Sequence, residues 1–294
     1  MSINSVEKLI LGTVQLGLEY GINNRGGKPP PDECMAILDS AYKAGIRYLD
    51  TAEGYGNSQE IIGLYHEMHP KSLFKVITKL SARNLELQGS VARVIKADLQ
   101  ILKLTRLEGY MFHSFEDYTK NSDIIYDLLE LKQKGLIAKL GVSIYTNEQA
   151  IAVLENNVID FIQIPYNLLD NFSKRGYILQ KAKEKNIEVH VRSVFLQGLF
   201  HMERALGKLE ILSPYIKSLN QLAADNNVTL PKLALSYALS NPYISKVLIG
   251  VESRTQLHKN IDDLLDSKLS EKIEQQVNSI NVTETDLLNP VNWV

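Results

Sequence analysis

The sequence predicts an α/β fold, a single (β/α)8 TIM barrel with loop insertions. Two observations carry that expectation. Eight short apolar runs recur along the chain, at residues 8–14, 46–50, 75–80, 107–113, 138–144, 161–166, 188–194 and 246–251. They are rich in Val, Ile, Leu, Phe and Tyr and mostly lack strict alternation, as strands covered on both faces do. Between them lie longer stretches with helical spacing, which implies parallel strands joined by right-handed crossovers. Eight strands close a barrel, and such barrels typically occupy about 250 residues. The 294 residues therefore fill one domain, 1–294, with some chain left for insertions and a tail.

The helical stretches follow from their apolar faces. In residues 34–45, Ile37, Leu38, Ala41 and Ala44 share one face and Gly45 provides the stop. Residues 124–135 repeat the pattern with Ile125, Leu128, Leu129 and Leu131, ending at Gly135. Residues 91–104, 147–154, 177–185, 213–226 and 255–265 read similarly. The last dozen residues hold the single tryptophan, Trp293, and are expected either to fold over a pocket or to remain a flexible tail. An open doubly wound sheet is the structural competitor. Its G-x-G-x-x-G fingerprint is missing, because the first run ends Gly12-Thr13-Val14-Gln15-Leu16-Gly17. A Walker phosphate loop also fails, since Pro29 follows Gly27-Lys28 and Ile22 stands where the first glycine belongs.

Composition narrows the function classes. With 45% hydrophobic and 22% charged residues, disorder and coiled coil are excluded. Lys and Arg number 32 against 34 Asp and Glu, a net charge of −2, too near neutrality for a protein held to nucleic acid by charge. No apolar run approaches the roughly 20 residues a membrane helix needs, so no membrane association is expected. The N-terminus lacks a basic segment before an apolar one, which predicts a cytoplasmic protein. The single cysteine, Cys34, forms neither an internal disulfide nor a cysteine metal cluster.

In a barrel of this kind the chemistry sits at the C-terminal ends of the strands. The second run ends at Asp50, the third near Lys79 and the fourth at His113, with Tyr55 on the loop just beyond Asp50. Three consecutive strands thus deliver a carboxylate, an amine and an imidazole to one rim. A phenol at neutral pH holds a proton to give but leaves a poor phenolate. An adjacent ammonium stabilises that phenolate and makes the phenol a better general acid. A buried ammonium requires a counter-charge, which Asp50 provides, and His113 is placed to orient a carbonyl. The set suits protonation of a carbonyl oxygen while a hydride arrives from elsewhere. No protein side chain supplies hydride, so a nicotinamide cofactor is implied.

Asp50-Thr51-Ala52-x-x-Tyr55-Gly56, followed by Lys79 and His113, resembles the aldo-keto reductase family over nearly the whole chain. The resemblance implies Tyr55 as proton donor, Asp50 and Lys79 as its tuning pair, and His113 as substrate orienter. It implies NAD(P)H as cofactor and a small carbonyl compound, an aldehyde or ketone with sugar-derived carbonyls included, as substrate. Gly12, Thr13 and Asp50 then lie near the cofactor. Gly141-Val142-Ser143 resembles the family's Gly-Val-Ser-Asn, with Ser143 as a carboxamide ligand and Ile144 replacing the Asn. Gln163 matches the family's carboxamide glutamine.

After the seventh run the family commonly carries an aromatic residue and a serine. This chain has Arg192 and Ser193, with Phe195 and Gln197 following on the cofactor side. A guanidinium repels the cationic oxidised nicotinamide, so Arg192 is expected to favour the reduced form, or else to pair with an acid or a substrate phosphate. Gly250, Glu252, Ser253, Gln256 and Asn260 match the family's last cofactor loop and the following helix. Gly250 and Gln256 stand where phosphate-selective relatives carry cations, and the carboxylate of Glu252 suits a ribose hydroxyl, which leans toward NADH. Arg254 and Lys259 are the two cations that would rescue 2′-phosphate binding.

Two alternatives share the fold. One is a non-catalytic NAD(P)-binding regulatory subunit. The other makes Lys79 a Schiff-base residue with no cofactor. Metal binding is not expected, because His66-Glu67-Met68-His69 lacks the His-Glu-x-x-His pattern and a third ligand nearby.

Overall fold

Eight parallel strands pair in sequence order and close on themselves. They are β1 (Leu9–Gly12), β2 (Tyr48–Asp50), β3 (Lys75–Leu80), β4 (Leu107–Phe112), β5 (Ile137–Ser143), β6 (Phe161–Pro165), β7 (Glu188–Arg192) and β8 (Lys246–Gly250). The circle closes where β8 pairs with β1, Leu11 opposite Ile249 and Gly12 opposite Gly250. This is a (β/α)8 barrel, seen in a computed structural model that describes residues 5–24, 26–202, 204–205, 207–264 and 269–293. The expected helix end at Leu265 and the last residue of the tail, Val294, lie outside the described residues.

Each strand falls within or beside its expected run, and most end a residue or two earlier because the rim residues already belong to loops. The two-residue strand period decides which side chains face the axis. Ile10, Ile77, Met111 and Phe161 form a small cluster of their own, flanked by Tyr48 and Leu248. Phe161 fills the space that Gly141 leaves, where an added Cβ would lie 2.3 Å from its ring. His190 stacks on the same ring at 4.7 Å. One step further along the same faces come Asp50, Lys79, His113, Ser143, Gln163 and Arg192, so a closed apolar plug carries a polar layer at the C-terminal mouth.

The larger hydrophobic cluster lies between the strands and the surrounding helices. Helices Pro31–Lys43, Val91–Leu102, Ile125–Gln133, Asn147–Leu154, Ser213–Asp225 and Arg254–Asp262 match expected stretches. Phe172–Glu184 begins five residues before its expected start, because the Asn171 side chain caps it by accepting from the Ser173 N–H. Two long helices have no counterpart among the expected stretches. Leu230–Ser240 buries nearly every residue from Leu230 to Leu239, so it has no wet face to reveal its period. Ser58–Met68 opens with two buried polar residues, Ser58 and Gln59, which break the apolar stripe.

The C-terminal segment is folded against the barrel in its described part. Asn171 donates to the carbonyls of Val277 at 2.8 Å and Ile280 at 3.0 Å. Short turns follow at Thr285–Leu288 and Pro290–Trp293, and the Trp293 indole donates to the Leu287 carbonyl. Asp286, Leu288 and Asn289 line a cleft of about 550 Å³ opposite Tyr145, Asp170 and Arg175. Among the described residues no helix is long and apolar enough to cross a membrane.

Candidate active site

The loop after β2 is fixed by backbone before any side chain acts. Thr51 N–H donates to Ile77 O at 2.9 Å and Glu53 N–H to Lys79 O at 3.3 Å, tying the loop to β3. Tyr55 N–H closes a turn onto Ala52 O, and Ser58 N–H onto Tyr55 O. Gly17 and Gly56 allow the loop to press against the segment after β1. A Cβ on Gly17 would lie 1.8 Å from Tyr55 O, and one on Gly56, whose φ is +56°, would lie 2.4 Å from Gly17 O. Thr13 donates from both its backbone N–H, at 2.9 Å, and its hydroxyl, at 3.0 Å, to Asp50 O. Ser58 Oγ reaches Thr13 O at 2.9 Å and completes the buried knot.

Four side chains meet above it. Lys79 donates to Asp50 Oδ1 and to Thr51 O, and the side chains of the ion pair are only 2% and 4% exposed. The Lys79 ammonium stands 4.8 Å from the centroid of the Tyr55 ring. The Tyr55 and His113 rings meet edge to face at 5.8 Å. Burial pulls the Lys79 amine down, but the Asp50 carboxylate and the Tyr55 phenol more than offset this and hold it above the ordinary lysine value. His113 is pushed down to about 4, by burial first and then by the Lys79 cation, so it is neutral at pH 7. A charged, fully engaged amine is no free nucleophile, which argues against a Schiff base at Lys79.

The remaining sequence-derived residues divide. Ser143 is buried at the end of β5, and Gln163 donates to Asp50 Oδ2 at 2.8 Å, so both face the mouth from adjacent strands. Arg192 lies over the Tyr145 ring at 4.2 Å and makes long bonds, at 3.4 Å, to Ser193 Oγ and Ile144 O. Among the described residues no carboxylate lies within 4 Å of Arg192. Gln197 donates to Tyr20 Oη at 2.8 Å. Phe195, by contrast, is packed into the hydrophobic cluster and meets His201 edge to face.

On the far side of the mouth, Gly250 at the end of β8 faces Gln15. Ser253 caps the Arg254–Asp262 helix, Glu252 and Gln256 bond one another, and Asn260 is buried. Arg254 is held by Glu33, whose carboxylate accepts from its backbone N–H at 2.7 Å and faces its Nε at 3.5 Å.

Sequence reading missed Glu53, Asp98 and Tyr110 beneath the Tyr55 loop, and Tyr20 and Tyr145 around Arg192. Glu53 lies inside the Asp50–Gly56 motif as an unassigned position, the one signal that pointed to it. His66 proves structural: Nδ1 contacts Leu102 O at 2.8 Å and Nε2 accepts from Phe74 N–H at 3.1 Å.

Comparison with known proteins agrees with the barrel fold. The model of the aldo/keto reductase family matches residues 8–282. The chain is 25% identical to the NADH-specific methylglyoxal reductase of Escherichia coli (strain K12), over 87% of this chain and 93% of the relative. It is 27% identical to L-galactose dehydrogenase of Arabidopsis thaliana, over 80% and 79% of the two chains. Among solved structures it resembles the holo form of the aldo-keto reductase AKR11C1 from Bacillus halodurans, with a TM-score of 0.75, 23% identity and 94% of each chain covered. The glycerol dehydrogenase AKR11B4 from Gluconobacter oxydans superposes with a TM-score of 0.73 at 22% identity, covering 93% of this chain and 90% of the other. The barrel, the motif order and the family match together place this chain in the aldo/keto reductase family, as an NAD(P)-dependent oxidoreductase.

Proposed function

We propose that the protein reduces a small aldehyde or ketone with NADH, Tyr55 giving the proton to the carbonyl oxygen. The observation that carries this reading is the buried Lys79–Asp50 pair with the Tyr55 ring 4.8 Å from the ammonium. The neutral His113 imidazole, edge-on to Tyr55, donates an N–H to the same carbonyl oxygen and orients it. When Tyr55 releases its proton, the Lys79 ammonium stabilises the phenolate left behind. Asp50 keeps that ammonium charged and in place through the buried ion pair.

The mouth fits a nicotinamide cofactor. Gln15 Oε1 is buried with no donor facing it among the described residues, at the β1–β8 junction beside Gly250. Ser193, Leu196, Gln197 and Gly198 all have positive φ, forming an irregular loop on the same side. Ser143, Gln163, Gln15 and this loop would hold the cofactor, which supplies a hydride when bound. The preference for NADH rests on Glu33 and Glu252. Glu33 occupies the first N–H of the Arg254–Asp262 helix and engages Arg254, leaving an acidic surface where a 2′-phosphate would need cations.

The relative named as an NADH-specific methylglyoxal reductase and the two named as L-galactose and glycerol dehydrogenases support a small, polar carbonyl–alcohol pair as the substrate class. The test is NADH oxidation by the purified full chain with a panel of short aldehydes and ketones, methylglyoxal included. Turnover with at least one member is expected. Tight NADH binding without turnover on any would favour the regulatory-subunit alternative.

A further inference from the structure

Beneath the Tyr55 loop lies a second polar cluster that the proposed chemistry does not use. Glu53, two residues before Tyr55, turns away from the mouth into the layer between β3, β4 and the helices. Its Oε1 accepts from Tyr110 Oη at 2.8 Å, and its Oε2 accepts from Ser81 N–H at 3.1 Å and Asn84 Nδ2 at 2.9 Å. Asp98, on the Val91–Leu102 helix, is 3% exposed, and the neighbouring Glu53 carboxyl raises its proton affinity. Gln59, from the Ser58–Met68 helix, lies beside Asp98 and donates to Thr78 Oγ1 at 2.9 Å.

Among the described residues the titratable groups facing the pair are thus Tyr110 from β4 and the two carboxyls themselves. Gln59, Ser81 and Asn84 complete the surroundings as neutral donors. Among the described residues no Lys, Arg or His lies within 4 Å of either carboxyl. Two carboxylates cannot both stay ionised in such a site, and a hydrogen bond between two carboxyls requires a proton on one of them. Among the described residues Asp98 Oδ2 is buried with no hydrogen-bond partner, which a proton carried on that oxygen resolves.

We propose that Glu53 and Asp98 share one proton at neutral pH, and that this clamp makes Glu53 a positioning residue for Tyr55. The inference rests on the reading of Tyr55 as proton donor. Glu53 is bonded at both oxygens and lies in the same short loop as Tyr55, so its anchorage fixes where the phenol stands. Ionised Glu53 is the acceptor of four donors: Tyr110, Ser81, Asn84 and protonated Asp98. Burial and the Glu53 charge together drive the Asp98 carboxyl up to about 8. Above that range the clamp becomes two repelling anions, and the loop loosens.

Infrared spectroscopy of the full chain at pH 7 tests the shared proton directly. A protonated-carboxyl C=O band is expected in the wild type and is lost in both Asp98→Asn and Glu53→Gln. Its absence from the wild type, or its survival in both variants, would overturn the proposal. Kinetics test the positioning. Asp98→Leu removes the donor and should lower kcat about tenfold while leaving KM within about twofold, and Asp98→Asn, which still donates to Glu53, should restore kcat. Wild-type kcat in a folded, NADH-binding Asp98→Leu would contradict it. Tyr55→Phe, measured in parallel, separates the two ideas: retained turnover there removes the proton-donor reading, while the infrared band still decides the shared proton.

Discussion

Asp50 and Lys79 meet across the β2–β3 pair as an ion pair almost fully withdrawn from water, and Gln163 from β6 donates to the other oxygen of the same carboxylate. Three strands are therefore locked to one another at the mouth by a single buried charge network. Such a pair contributes little net stability when complete but is costly to break. Lys79→Met is expected to lose about 3–5 kcal/mol of unfolding free energy in urea titration, because it strands Asp50 as a buried, uncompensated anion. An unfolding midpoint matching the wild type would show that Asp50 is hydrated or partnered otherwise.

His113 supplies a pH dependence with a definite sign. Its folded value is about 4, below the ordinary histidine value of about 6.5. Between these the unfolded chain binds more protons than the folded one. The stability contribution of neutral His113 is therefore fully present above about pH 6.5 and is lost as pH falls through about 4. Urea titrations at pH 7 and pH 4.5 should show the wild type losing more stability than His113→Gln over that interval. Equal losses would contradict the burial of the imidazole.

The acidic surface around the Arg254–Asp262 helix predicts cofactor choice. Fluorescence titration should give NADH binding at least about tenfold tighter than NADPH, and Glu33→Gln combined with Glu252→Lys should narrow that gap by about tenfold. The double variant frees Arg254 and replaces a repelling carboxylate with a cation. Tighter NADPH binding in the wild type would oppose the reading.

Arg192 should make the mouth discriminate between redox forms. It lies on Tyr145 without an acidic partner among the described residues, so its charge is unneutralised where a nicotinamide would sit. In Arg192→Tyr, the ratio of NAD+ to NADH affinity should rise by a factor on the order of ten. A constant ratio would assign Arg192 to a substrate anion or to packing on Tyr145 alone.

What the sequence made legible follows from range. The strands announced themselves because both faces are buried, and Asp50, Lys79 and His113 could be placed on one rim by counting strand ends. The Leu230–Ser240 helix stayed hidden because burial all round erases its period. The Glu53–Asp98 pairing and the Gln163–Asp50 bond join residues far apart in the chain through side-chain direction, which no local pattern encodes. Arg254 read as a cation that would rescue 2′-phosphate binding because its partner, Glu33, belongs to another helix. Phe195 belongs to the motif that matched the cofactor side, yet its ring packs into the core, since the left-handed turns at Ser193 and Leu196 redirect the chain.

The most direct test removes one oxygen. Tyr55→Phe, with NADH affinity measured by fluorescence and turnover by NADH oxidation, should bind the cofactor within about twofold of the wild type while kcat falls by about a hundredfold or more. Unchanged kcat in that variant would contradict the assignment of Tyr55 as the source of the proton.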